Sequence, residues 1–373
     1  MPAARLILIG GFLGSGKTTL LQQLARRLSL RGRTVGTIVN DQAPGLVDTA
    51  LLHGCGCCVK EVAGSCFCCD FRAFEEAVQS LIGLGAEIVL AEPVGSCTDL
   101  AATILQPLKD LRPDIEVAPF TVLVSPEHVR EALGESESEM HPGTLYILRM
   151  QIAEADRLLL NKIDLLSAPE RADLTGLLRG SFPGREVGEI SARSGDGIDV
   201  WMADLDAGGD AGAHIVEVNY DRYAEGEAAL GWLNAIVRLE ATGPEADFFP
   251  PAMEMMERLH RAFREHGAPV GHVKALIESG GEQRAANLTD LDGGIVTMDQ
   301  TPLRGARATL ILNARVQMPA GILETVARSA IHGICGRAVR TPATEFRCLT
   351  PARPEPTYRY RAPGSSGCAG GPQ

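Results

Sequence analysis

The sequence contains no run of about 18 consecutive apolar residues, which excludes a helix able to cross a bilayer. It also lacks the basic start, apolar core and small-residue cleavage site of a secretory signal. The stretch from Leu6 to Leu13 is broken by Gly10 and Gly11 and runs straight into Gly16, Lys17 and Thr18. Basic residues are in deficit, 35 against 47 acidic, and the formal charge of −12 argues against nucleic acid or an anionic membrane surface as the main partner. Gly 41 and Pro 22 make up about 17 % of the chain, short of the roughly 25 to 30 % that marks disorder. No repeat of 20 to 50 residues is present. These absences leave a soluble, globular, cytoplasmic protein whose 373 residues suffice for two domains.

Cysteine, by contrast, is concentrated. Six of the ten lie between Cys55 and Cys69, while Cys97, Cys335, Cys348 and Cys368 are scattered. In a reducing compartment such clustering reads as metal ligation or redox chemistry, not as a disulfide scaffold.

Residues 5–9 form a short apolar run suited to a strand buried on both faces, and Leu20, Leu21, Leu24 and Leu28 recur at helical spacing after a glycine loop. Similar runs at 34–39, 87–90, 120–124 and 157–160, separated by helix-like segments, predict a doubly wound, mostly parallel α/β sheet over residues 1–205. The small residues of 206–213 predict a linker, 214–345 a smaller α+β domain, and the proline-rich and glycine-rich 346–373 a disordered tail. In the second domain strands are expected at 214–220, 232–239 and 309–316, and helices at 251–266 and from Ala320. Trp232, Tyr220 and the methionines Met253, Met255 and Met256 read there as packing residues, and His260, His266 and His272 as solvated or core histidines.

Gly11 to Thr18 fits GxxxxGKT between a strand and a helix, the setting a phosphate loop needs. Gly11, Gly14, Ser15 and Gly16 let backbone N–H groups face a phosphate, Lys17 supplies a point charge to the β- and γ-phosphates, Thr18 ligates Mg²⁺, and Thr19 continues the helix N-terminus. Asn161, Lys162 and Asp164 follow another strand. An aspartate there accepts both N–H groups of guanine's Watson–Crick edge, which adenine cannot supply, so GTP is the expected nucleotide. Asn161 would hold the N7 side of the purine, Lys162 would cover one face, and Ser191 and Ala192 would offer a backbone N–H to the guanine carbonyl. Glu92, with glycine three residues later, has the place of a residue that holds Mg²⁺ and senses the γ-phosphate; Lys17 and Glu92 are the catalytic candidates and Asp41 a further approach to the magnesium.

The order of these motifs, phosphate loop, Asn40-Asp41, CxCC, Glu92-Pro-Val-Gly95, Asn161-Lys-Ile-Asp164, Ser191-Ala192, closely resembles that of the CobW-type metallochaperone GTPases, relatives of the hydrogenase and urease nickel-insertion GTPases. The resemblance covers roughly residues 5–205. It implies a P-loop GTPase that passes a metal ion, or helps insert a metal cofactor such as a corrinoid, to a client metalloprotein or corrinoid protein. The family motif maps onto Cys66, Cys68 and Cys69, with Glu61 upstream and a helix-like 71–84 downstream. Cys55, Cys57 and Cys58 are an auxiliary candidate set.

Three thiolates in four residues can surround zinc or another thiophilic divalent metal, cobalt among them, and His53, Cys97, water or the other CxCC would complete the shell. A corrinoid-enzyme chaperone with a structural metal and a redox-sensing GTPase are the competing readings. A homodimer is left open.

Overall fold

The computed structural model describes residues 4–41, 47–53, 58–134, 138, 140–297, 299–336, 338–364 and 368–369. They fall into two compact units, one drawn from 1–42, 48–226 and 353–373, the other from 43–47 and 227–352.

The first unit is a parallel sheet. Its strands are β1 (Ala4–Gly11), β2 (Val35–Asp41), β3 (Cys58–Ala63), β4 (Ile88–Glu92), β5 (Ile115–Val117), β6 (Thr121–Val124), β7 (Arg157–Leu160) and β8 (Glu186–Glu189). The spatial order is β3-β2-β4-β1-β6-β7-β8, with β5 also pairing β1. β1, β2, β4, β6 and β7 are buried almost throughout, as strands covered on both faces by crossover helices must be. Because every strand runs the same way, their carboxyl ends share one edge, where ligands of open α/β sheets bind. β3 was not foreseen. It is an edge strand, half exposed and lacking the apolar run that marks its neighbours.

The second unit holds an antiparallel sheet in the order Val296–Thr297, Glu282–Leu288, Val270–Ser279, Arg307–Val316, Gly231–Ala241, Val339–Leu349. The helices Phe249–Glu265 and Ala320–His332 pack against it, and Met255, Met256, Leu259 and Phe263 enter its core. Trp232 is buried beneath the Arg315 guanidinium, 4.2 Å from its ring.

The expected boundaries move. Residues 206–213 are not a free linker: Gly212 and Ala213 donate their N–H groups to Asp156 at 2.6 and 2.9 Å, and Gln106 donates to the Gly212 carbonyl at 2.8 Å. The division falls after Gly226. Residues 214–219 are irregular and Tyr220–Ala228 is a helix of the first unit, so the strand expected at 214–220 is absent and Tyr220 is not a packing residue of the second. The expected tail from 346 is structured over its described part: 346–349 end a strand of the second sheet, and 353–364 belong to the first unit.

Helix Pro142–Ala153 ends at Glu154, whose buried carboxyl receives the Thr98 hydroxyl at 2.9 Å and the Ala101 N–H at 3.1 Å. Burial raises its pKa from 4.5 to about 8 despite these bonds. The unfolded chain therefore ionises this group before the folded one does, and stability falls as pH rises from 4.5 towards 8, at up to about 1.4 kcal/mol per pH unit. Glu154→Gln removes the slope. In denaturant unfolding it is expected to match the wild type below pH 4.5 and to exceed it at pH 8; equal stabilities at pH 8 would refute a protonated carboxyl.

Candidate functional site

The glycines of the phosphate loop are demanded by the backbone. Gly11, Gly14 and Gly16 have φ of 133, 78 and 100°, in the region only glycine enters freely. A Cβ on Gly11 would stand 2.4 Å from the Leu123 carbonyl, and one on Gly16 would stand 2.3 Å from the Asn161 amide. The loop leads into helix Lys17–Leu30, whose N-cap is Gly16. Ser15 Oγ is buried without a hydrogen-bond partner, as suits a cradle built for an anion. Lys17 Nζ donates to the Gly11 and Phe12 carbonyls at 2.8 and 3.2 Å.

Three elements meet below the loop. Thr18 donates its hydroxyl to Glu92 at 3.1 Å, and Lys17 Nζ lies 4.0 Å from the same carboxylate oxygen. Val39 of β2 is in register with Glu92 of β4, so Asp41, also buried, stands two residues beyond that pair on the same sheet edge. The oxygen set of Thr18, Glu92 and Asp41 fits a hard divalent cation. His128 packs edge-on to Phe12 at 5.4 Å, and burial, with Lys162 and Lys17 nearby, lowers its pKa to about 3.

The base-reading residues converge partly as expected. Asn161 is buried and committed to the protein, its Nδ2 donating to the Ser15 carbonyl at 2.7 Å and its Oδ1 accepting the Ala192 N–H at 2.8 Å. It thus ties the phosphate loop to the Ser191-Ala192 loop. Lys162 adopts φ 63°, which turns the chain into a single 3₁₀ turn, Ile163–Leu165, that leaves Asp164 exposed.

The cysteines separate into two groups. Cys66 and Cys68 are buried with sulfurs 3.1 Å apart, and Cys69 Sγ lies 3.8 Å from Cys68 Sγ. Buried Cys97, distant in sequence, joins them: the sulfurs of Cys66, Cys68 and Cys97 all lie within 4.8 Å of one another. Hydrogen bonds from Cys66, Cys69 and Cys97 hold the Cys68 thiol well above its usual pKa. Cys58, however, opens β3, five residues before Ala63 ends it, hence roughly 16 Å from the carboxyl edge. That places it away from the cluster, as a strand running in the common direction requires. Cys55, Cys57 and the His53 side chain lie outside the described residues.

Two buried amides that sequence reasoning gave no role hold the cluster. Asn40, at the end of β2, donates to the Val62 and Ser65 carbonyls at 2.9 and 2.7 Å and accepts the Phe67 N–H at 2.8 Å. Gln151 donates to the Gly95 and Cys97 carbonyls at 3.0 and 2.7 Å. Residues of the C-terminal segment add a third side. Glu355 N–H points to Cys69 Sγ at 3.2 Å, Thr357 N–H to the Cys68 carbonyl at 2.8 Å, and Arg359 pairs with Asp99 at 2.7 Å. A motif search finds Asn40 beside Asp41, but a lone glutamine on a helix carries no such signal.

Fold and site together define a P-loop nucleotide-binding domain with a thiol cluster at the carboxyl edge of its sheet. Residues 5–186 match the family described as "CobW/HypB/UreG, nucleotide-binding domain". Among curated proteins the chain is 27 % identical over 208 residues to the zinc chaperone CobW of Pseudomonas aeruginosa, covering 47 % of this chain and 53 % of that protein. It is 30 % identical over 165 residues to the zinc chaperone YeiR of Escherichia coli, covering 42 % and 46 %. The chain therefore spans about half the length of the curated relatives it matches. The zinc-bound YjiA GTPase of E. coli aligns with 90 % of this chain and all of its own, at 17 % identity and a TM-score of 0.38.

Asn40→Ala leaves the Phe67 N–H and the Val62 carbonyl without their buried partner. The expected loss is about 2 to 6 kcal/mol of unfolding free energy, at roughly 1 to 3 kcal/mol for each unmet group, together with weaker zinc binding. Denaturant unfolding and chelator competition measure the two. A variant as stable as wild type would show that the Ser65–Phe67 turn stands without the clamp.

Proposed function

We propose that this protein hydrolyses GTP and uses its nucleotide state to govern a thiolate metal site that delivers zinc to a client metalloprotein or corrinoid protein. One observation carries the reading: the Cys66–Cys68 turn is clamped by Asn40 to the end of β2, one residue from Asp41 and beside the strand that ends in Glu92. The names of the two curated relatives favour zinc as the cargo.

In this reading the phosphate loop holds the β- and γ-phosphates with its N–H groups, and Lys17 exchanges its two carbonyl partners for phosphate oxygens. Thr18, Glu92 and Asp41 would hold Mg²⁺, which when bound neutralises phosphate charge. Glu92, already accepting from Thr18, orients water towards the γ-phosphate. Asp164 reads guanine from its exposed turn, which leaves the carboxylate open to an incoming base. The close Cys66 and Cys68 sulfurs favour one second reading, a redox dithiol that the GTPase senses.

Anaerobically purified protein is expected to retain about one zinc per chain and to release it to a chromogenic chelator at rates that differ between GDP and GTP. Identical release rates with GDP, with GTP and without nucleotide would refute nucleotide control, and a Cys66–Cys68 disulfide in place of metal, seen by mass spectrometry, would favour the redox reading.

Asp164→Asn is expected to weaken GTP binding by about 3 kcal/mol, on the order of 100-fold, while improving binding of xanthosine triphosphate, whose ring presents an acceptor where guanine has a donor. Calorimetric titration of both nucleotides with Mg²⁺ measures the change. Wild-type protein that binds ATP as tightly as GTP would overturn the assignment.

A further inference from the structure

We infer that Cys97 is a metal ligand, that it completes a four-thiolate site with Cys66, Cys68 and Cys69, and that it is the ligand through which nucleotide state reaches the metal. The inference rests on the metallochaperone reading and adds to it a residue outside the CxCC motif.

The geometry comes first. Four sulfurs around one zinc at about 2.3 Å stand roughly 3.8 Å apart. Cys68 and Cys69 already show 3.8 Å, Cys66 and Cys68 3.1 Å, and Cys97 lies within 4.8 Å of both Cys66 and Cys68. Cys66, Cys68 and Cys97 already stand close to that spacing, and Cys69, 3.8 Å from Cys68 but outside the mutual 4.8 Å set, has to swing inward to close the shell. Cys97 is 1 % exposed, and its sulfur lies within 4.8 Å of those of Cys66 and Cys68, so it faces the other thiols and not solvent. The Glu355 N–H at Cys69 Sγ supplies the outer hydrogen bond that orients a thiolate.

The position of Cys97 gives it the second role. It follows Glu92 by five residues, on the segment that leaves β4 across the phosphate loop. Gly95 of that segment comes so near Lys17 that an added Cβ would stand 3.2 Å from Nζ and 2.6 Å from the Leu13 side chain. The Gln151 amide binds the carbonyls of Gly95 and Cys97 together, so the two move as one piece. A γ-phosphate held by Lys17 lies against the Gly95 end of this piece, and the thiolate lies at the other. The Cys66–Cys69 turn is fixed instead by Asn40 to β2. Metal bound across both segments therefore favours the one relative placement of the two that closes the four-sulfur shell, and by linkage nucleotide and metal change each other's affinity by the same factor.

The test uses the full chain with Cys55, Cys57 and Cys58 replaced by Ser, so that no sulfur from that group enters the count. X-ray absorption of the zinc form is expected to give four sulfurs per zinc, and three in Cys97→Ser. Titration with Co²⁺ under anaerobic, reducing conditions is expected to show affinities that differ about 5- to 150-fold between GDP and a non-hydrolysable GTP analogue. In Cys97→Ser or Cys97→Ala that ratio falls towards one, and thiolate-to-cobalt charge-transfer absorbance drops by about a quarter. Three sulfurs or fewer per zinc before Cys97 is changed would overturn the inference, and this measurement stands even if neither Cys97 variant folds. An unchanged ratio in folded Cys97 variants would overturn the coupling. Either result leaves the metallochaperone reading intact; that reading falls if the chain with all ten cysteines takes up neither Zn²⁺ nor Co²⁺.

Discussion

The pairing of β2 with β4 is the contact on which the site depends. Asp41 and Glu92 are 51 positions apart in the chain, yet the register Val39 to Glu92 brings both carboxylates to one edge of the sheet. Parallel pairing is what makes this possible, because two strands running the same way deliver their ends, and whatever follows them, to the same side. On one flank β1 delivers the phosphate loop beside β4; on the other β3 ends at Ala63 and releases the cysteine turn beside β2. Slip β2 by one residue against β4 and Asp41 turns to the opposite face of the sheet, away from Glu92.

Given that edge, two amides fix the details. Asn40 and Gln151 each bind two carbonyls through one NH₂ group, and each joins the cysteine cluster to a different strand exit. Amides suit this work because they satisfy buried backbone groups without bringing charge into a low-dielectric interior.

Much of the first unit was legible in the sequence because its strands are buried on both faces and write their position as unbroken apolar runs. β3 carries no such run, since an edge strand covered by little else needs none. The glycines of the phosphate loop were legible, because a Cβ on Gly11 would meet the Leu123 carbonyl and one on Gly16 the Asn161 side chain. For Asn161 the motif gives the position on its loop, while the protein partners, Ser15 and Ala192, come from the tertiary fold. The boundary of the second unit was misplaced for a related reason. Glycines at 208, 209 and 212 look like a hinge, but the Asp156 carboxylate, far off in sequence, takes up the N–H groups that would otherwise leave the segment loose. The strand expectations of the second unit held at 232–239 and 309–316, where β-branched and apolar residues line its core, and failed at 214–220; the strands at 270–279 and 339–349, where charges interrupt the pattern, were not foreseen.

The charges around the thiols show why such a cluster can be tolerated in the interior. Four thiolates about a divalent ion carry a net −2, and any further buried anion would raise the cost of closing the site. Two carboxyl groups nevertheless lie close by, Asp99 and Glu154, on either side of Thr98 and its neighbours. Neither leaves an unbalanced charge near neutral pH. Asp99, in a left-handed conformation at φ 65°, faces the Arg359 guanidinium and the Tyr220 hydroxyl at 2.7 Å each, so its charge is balanced where it stands. Glu154 is pushed to about pKa 8 and keeps its proton at pH 7. The residues that build the backbone behind Cys97 are thus polar enough to satisfy its turn and close enough to neutral to leave the negative charge to the sulfurs. Arg359 belongs to the same C-terminal segment whose Glu355 N–H meets Cys69, so one stretch of chain both balances the nearest carboxylate and borders the cluster.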